Sequence, residues 1–239
     1  KILAFRGLKQ QAIDTAEAGD IVSLAGMSKA TVADTIADQS VEDPIPAQPI
    51  DPPTITVTFG INDSPLAGRD GKKVQSRVIR DRLLKECESN VAIKMVDTPG
   101  GEAFDVSGRG ELQMGVLIEN MRREGFELSI SRPRVIYKDV DGVKNEPIEE
   151  VTIDVDEEFS GAVIEKLSSR KGEMVDLKSS GSGKTRIIAL VPSRGLIGYH
   201  SEFMTDTRGT GILNRVFHSW SPHKGSIAGR RQGVLISME

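Results

Sequence analysis

The chain has 239 residues, 38% of them apolar, 28% charged and only 4% aromatic, with a net charge of −4 at pH 7. That length suits one large domain or two small ones, the scarcity of rings argues against binding surfaces built from many stacked aromatics, and the net charge does not by itself announce a nucleic-acid binder. A single cysteine, Cys87, excludes an intrachain disulfide and a multi-cysteine zinc site, and with no visible signal peptide and no apolar run of membrane-spanning length the expected location is the cytoplasm.

Residues 2–5 and 20–24 read as two strands, separated by turn chemistry at Arg6-Gly7 and Ala18-Gly19-Asp20. Pro44, Pro46, Pro49, Pro52 and Pro53 then make residues 44–53 a stiff, extended linker that is a poor partner for a sheet. Beyond it Ile55, Val57 and Phe59 alternate with Thr54, Thr56 and Thr58 as a strand. Residues 73–89 read as a helix with Ile79, Leu83 and Cys87 on one face, and residues 91–96 and 102–106 pair as a hairpin across Thr98-Pro99-Gly100-Gly101. The next stretch, SGRGELQMGVLIENMRREGFELSISRPRVIY at residues 107–137, is a turn, a helix and a strand in immediate succession. Gly108 and Gly110 flank Arg109, so the backbone turns sharply while a guanidinium is held at the helix entrance. Met114, Leu117, Ile118 and Met121 form one helical stripe, Gly125 stops it, and Phe126, Leu128 and Ile130 alternate with Glu127 and Ser129. The chain leaves through the basic Arg132-Pro133-Arg134. The order over residues 54–138 is β-α-β-β-α-β, the ferredoxin-like arrangement.

That order repeats over residues 146–221. Val151, Ile153 and Val155 alternate with polar neighbours, and Asp156 is placed to cap a helix whose first turn holds Glu157 and Glu158. Phe159, Val163 and Leu167 form its stripe, residues 173–178 and 185–191 pair over a Ser/Gly loop, a second helix runs over 196–205, and residues 211–217 form the last strand. Arg194-Gly195 stands before this helix as Arg109-Gly110 stands before the earlier one. The predicted class is α+β, two tandem ferredoxin-like domains behind a short β segment.

Charge is unevenly distributed. From residue 194 to 231 there are six Lys/Arg against Glu202 and Asp206, with all three histidines, whereas residues 139–158 are a run of carboxylates opposed only by Lys144. Several motifs invite catalytic readings that their surroundings do not support. Gly181-Ser182-Gly183-Lys184-Thr185 has Lys178 where a phosphate-binding loop needs its first glycine, and a strand follows where a helix is required. Asp97-Thr98-Pro99-Gly100 is good turn chemistry, and Arg77, Asp81 and Lys85 make a solvated helical face. His200, His218 and His223 lack zinc-hydrolase spacing and read as phosphate contacts or surface residues. Arg109 and Arg194 each have two readings: capping carbonyls or binding a carboxylate, or presenting a planar fork to RNA phosphate.

The segment around Gly108-Arg109-Gly110-Glu111-Leu112 resembles the third domain of elongation-factor-G-like translational GTPases. AEAGDIVSLAG (residues 16–26) resembles the last strands of the β-barrel of those factors, and EPIEEVTIDVDEEFSGAVIEKLSSRKGEMV (residues 146–175) resembles their fifth domain. Only about ten residues, 138–147, join the two modules, too few for the extra domain that elongation factor G carries there. RGLIGYHSEFMTDTRGTG and KGSIAGRRQGVLIS instead resemble the BipA/TypA branch. The resemblance implies the end of a barrel at 1–43, third- and fifth-domain equivalents at 54–138 and 146–221, and the start of a branch-specific domain at 225–239. It implies a piece of a longer protein whose GTP and Mg site lies in an amino-terminal domain, with no catalytic residue, cofactor or metal in this chain. The implied partner is the ribosome (rRNA, ribosomal proteins and A-site tRNA), bound by a monomer acting in large-subunit assembly and stress-adapted translation, with no membrane. Arg194, His200, Arg208, His218, His223 and Lys224 form the leading contact patch, and Arg109, Arg123, Arg132 and Arg134 the second. The rival readings are a free-standing RNA-binding module, for which Gly125-Phe126-Glu127-Leu128 lacks a second aromatic and a basic entry, and a tandem ferredoxin-like small-ligand regulator.

Overall fold

In the computed structural model, which describes residues 1–27, 30, 34–46, 50–179, 181 and 183–227, strand β1 (Ile2–Arg6) turns at Gly7 (φ 65°) into β2 (Lys9–Ile13), and β3 (Ser23–Leu24) joins the other edge of β1. The sequence points to β1 and the 20–24 strand but not to β2. Lys9, Gln10, Gln11 and Ala12 are all exposed, so this edge strand has no apolar face to betray it. The chain divides into two units, Lys1–Ile50 and Asp51–Glu239, and the boundary falls inside the predicted linker, of which residues 47–49 lie outside the described residues.

The first module of the second unit runs β4 (Ile55–Ile61), α1 (Ser76–Ser89), β5 (Lys94–Asp97), β6 (Ala103–Gly108), α2 (Glu111–Arg123) and β7 (Leu128–Ile130), with β8 (Arg134–Val135) paired to the start of β4. Its antiparallel sheet has the order β5-β6-β4-β7, the ferredoxin-like arrangement. Ile55, Val57 and Phe59 turn to the helices, where Ile79, Leu83, Phe104, Val106, Met114, Leu117 and Met121 complete the core. The predicted stripe of α2 is therefore its buried face, and Gly125 (φ 86°) ends the helix. Helix α1 starts three residues later than predicted. Lys73 instead bridges to Phe126, its ammonium 4.7 Å from that ring, and a Cβ at Gly71 would stand 2.7 Å from the Gly125 carbonyl oxygen.

Residues 138–147, expected as a plain connector, are sheet. Strand β9 (Lys138–Val140) turns through Asp141 (φ 54°) and Gly142 (φ 76°) into β10 (Val143–Asp156), 14 residues long. The second module continues with α3 (Glu157–Ser169), β11 (Glu173–Ser179), β12 (Lys184–Pro192), α4 (Ser193–Leu196), α5 (Tyr199–Asp206) and β13 (Ile212–Pro222), in the sheet order β11-β12-β10-β13. Its core is Val151, Ile153, Val155, Val163, Leu167, Ile187, Ala189, Val191, Leu196, Tyr199 and Phe203.

Three local expectations give way. The helix predicted over 196–205 is two pieces, because Gly198 adopts φ 73° between α4 and α5. Asp156 does not cap α3 with its side chain, which accepts the Thr210 hydroxyl at 2.9 Å instead. Strand β13 carries an extra residue: Phe217 sits opposite Glu149 and Ser219 opposite Ile148, leaving His218 in a bulge. Among the described residues no helix is long and apolar enough to cross a membrane. The segment expected to open another domain at 225 is described only to residue 227, so Arg230 and Arg231 lie outside the described residues.

Candidate nucleic-acid interface

Arg194 is the second residue of α4, and its environment decides between its two readings. Its guanidinium is ion-paired to Glu146, a carboxylate with no exposed surface, while the arginine side chain itself keeps only 13%. Nη2 reaches the second Glu146 oxygen at 3.1 Å and the Gly225 carbonyl at 2.5 Å, and the Lys224 amide donates to Glu146 at 2.8 Å. Burial pushes the Glu146 carboxyl up, but Arg194 and that amide outweigh it and hold the group below its ordinary value. Arg194 is thus committed to a buried carboxylate, not displayed.

The remainder of the leading patch is divided. The Lys224 ammonium pairs with Glu173 at 2.8 Å, and His223 is half-buried against Tyr137, ring centres 5.8 Å apart, with its Nδ1 accepting the Gly225 amide. His200 on α5, Arg208 in the turn after α5 and His218 in the bulge are exposed, and Arg208 (φ 49°) lies 5.6 Å from the Phe159 ring. In the second group Arg123 shares Glu119 with Arg122, and Arg134 contacts Asp105 at 3.1 Å and the Thr58 hydroxyl at 3.0 Å. Those arginines remain mostly exposed, and surface pairs of this kind contribute about 0–1 kcal/mol, so a phosphate can displace them. Arg132 is exposed and makes no ion pair with a described residue. The structure places these cations on several surfaces and does not gather all ten.

The helix entrance around Arg109 does something the sequence did not announce: it docks on the second module. Glu111 accepts the Gly198 amide at 3.2 Å, and its other oxygen lies 3.8 Å from Arg215 on β13. Arg215 in turn faces Glu149 of β10 at 3.6 Å. A Cβ at Gly110 would meet the Arg215 guanidinium at 3.3 Å, so the glycine makes room for this arginine. Arg109 itself is exposed, reaches the Asp51 carbonyl at 3.4 Å, and lines a cavity of about 220 Å³ with Glu149, Arg215 and Phe217. The signal that sequence reading passed over is Arg215 in the inward series Leu213, Arg215, Phe217 of a strand, a place for a cation only if a carboxylate meets it.

Burial is also the main influence on Glu149, and here it prevails over the Ser193 hydroxyl and Arg215, holding the carboxyl above its ordinary value. A group raised in the folded state costs stability once pH passes its unfolded value, so the neutral mimic Glu149→Gln should be more stable than wild type at pH 8 and lose that advantage at pH 4. The gain is about 1.4 kcal/mol per unit of displacement, read as the difference between melting temperatures at the two pH values. An advantage that grows on acidification would refute this account.

The aromatics of the first module's central strands are interior. Phe59 on β4 and Phe104 on β6 are buried, as is Phe126 just before β7, which leaves no base-stacking row of the RRM kind on them.

Residues 143–231 match a family model described as the elongation factor G C-terminus. Proteins named large ribosomal subunit assembly factor BipA align along essentially the whole chain: 51% identity over 100% of it in Bacillus subtilis, 49% over 99% in Haemophilus influenzae and 48% over 99% in Escherichia coli K12. The chain spans 39% of the length of each of these relatives. Identity at this level runs through both modules and the ribbon between them, so along its whole length the chain is similar to the corresponding part of proteins named BipA, and from residue 143 onward to the elongation factor G C-terminus.

Proposed function

We propose that this chain is the ribosome-recognising portion of a BipA-type large-subunit assembly factor, acting by contact with rRNA and ribosomal proteins, A-site tRNA among its neighbours. The carrying observation is the alignment of the whole chain with proteins named for large-subunit assembly. GTP binding and hydrolysis with Mg belong, in this reading, to a region of the parent outside the chain, and the protein works as a cytoplasmic monomer in assembly and stress-adapted translation. The fixed junction through Glu111 supports it, since two modules held in one arrangement present a defined shape to a large partner. Exposed cations supply the attraction to phosphate, Arg132 and Arg208 among the arginines that pair with no carboxylate of a described residue.

The test is co-sedimentation of the chain with purified large subunits over a salt series. If about four to six phosphates are engaged, the log–log salt slope is roughly −3 to −5, and Arg132→Glu with Arg208→Glu should flatten it by about 1.5 and weaken binding roughly tenfold. Arg194 is left intact because of its buried partner. Equal affinity of wild type and double variant at every salt concentration would remove these residues from the interface, and failure of wild type to sediment with large subunits would end the reading.

A further inference from the structure

The bulge at His218 has a chemical consequence. In a regular strand, residues three apart point to opposite faces, and Phe217 and Trp220 would be separated by the sheet. The extra residue sets Phe217 opposite Glu149 and Trp220 opposite Pro147, two positions apart on β10, so both rings emerge on one face. They meet there with centres 5.8 Å apart and planes inclined at 54°, both half-buried. Lys138, opposite Asn145 and therefore on the same face, holds its ammonium 4.1 Å from the Trp220 ring. At the other end Phe217 forms a wall of the 220 Å³ cavity that Arg109 also lines. The strip therefore reads cation, ring, ring, cation.

A ligand complementary to that strip is flat and apolar on its faces and carries negative charge on both sides. Lys138 is a flexible surface side chain that can leave the Trp220 face for a phosphate once another planar group covers the ring. Paired RNA keeps its bases stacked inside the helix and presents no free face, whereas an unpaired nucleotide does. We propose that Phe217 and Trp220 form a stacking site for an unpaired RNA nucleobase, with Lys138 and Arg109 taking the flanking phosphates. The proposal rests on the reading above that RNA is the partner, and it names where on the chain a single-stranded element is held and by what chemistry.

Trp220 is the only tryptophan in the chain, so its emission reports on the site directly. The 239-residue chain is titrated with short oligouridine and oligoadenosine, and separately with their duplex. Single strands should quench Trp220 while the duplex does not. By anisotropy of labelled single strands, Trp220→Leu and Phe217→Leu should each bind about tenfold or more weakly, and Trp220→Phe should retain most of the affinity. Lys138→Ala with Arg109→Ala, both at exposed positions, should flatten the salt slope by about 1 to 2. Equal quenching by duplex and single strand overturns the proposal, as does wild-type affinity in Trp220→Leu. If Trp220→Leu fails to fold, Trp220→Phe and the Lys138/Arg109 pair decide the question. Large-subunit sedimentation without quenching by single strands removes the stacking site and leaves the ribosomal reading standing. Quenching that depends on Phe217, without sedimentation, does the reverse.

Discussion

Arg194→Ala is expected to lower the melting temperature of this chain by roughly 6–20 °C, the largest effect of any single exposed-looking arginine. The sequence offers Arg194 as a surface cation, but its guanidinium neutralises Glu146, a carboxylate wholly removed from solvent. Breaking a buried pair from one side costs about 3–5 kcal/mol, because the remaining charge is left without a counterion. For a chain of this size each kcal/mol is worth about 2–4 °C. The pH dependence carries the signature. The Glu146 carboxyl is held below its ordinary value in the fold, so its contribution is full above the unfolded value and is lost as pH falls through the folded one. The deficit of Arg194→Ala should therefore shrink on acidification, as Glu146 takes up a proton and no longer needs the arginine. Arg194→Met combined with Glu146→Leu should recover most of the loss, since a well-packed apolar pair can replace a buried ionic one. A melting temperature unchanged at neutral pH in Arg194→Ala would show that Glu146 finds another partner.

Glu111→Arg is the second large effect. It removes the acceptor of the Gly198 amide and sets a second guanidinium against Arg215 at the joint between the modules. A hydrogen bond to a charged acceptor contributes about 1.5–3 kcal/mol, so a loss of that order is expected, with faster amide exchange at Gly198 as its local mark. Glu111→Gln keeps an oxygen for the amide and should lose about 1 kcal/mol or less. If Glu111→Arg melts and exchanges like wild type, the joint is held by other contacts and the charge cluster is incidental.

How much of this was legible without coordinates follows from the range over which each feature is determined. The α2 stripe, both predicted β-hairpins and the repeated β-α-β-β-α-β order are local patterns, and they appear where periodicity placed them. Strand β2 was invisible because Lys9, Gln10 and Gln11 bury nothing. The split of the last helix was hidden in Gly198, since a single glycine inside an apolar stretch does not disclose its φ. The distribution of the cations was the least legible. Whether Arg194 or Arg208 is displayed depends on partners such as Glu146, 48 residues away from Arg194 in sequence, and spacing along the chain carries no such information. The Phe217–Trp220 pair was hidden for a related reason: a separation of three argues against contact until a bulge shifts the register.

Strand β10 also has mechanical consequences. Its 14 residues make a rod of about 45 Å, hydrogen-bonded to β9 at one end and to β12 and β13 along most of its length. The chain leaving the first module enters β9 at Lys138, three residues after β8 ends, and β9 turns through Asp141 and Gly142 directly into that rod. A torque applied to the first module is therefore delivered to the centre of the second module's sheet, as by a crank fixed to its axle. Inserting a few glycines between Val135 and Lys138 would slacken this covalent route and leave the contact of Glu111 with Gly198 and Arg215 to carry displacement from one module to the other.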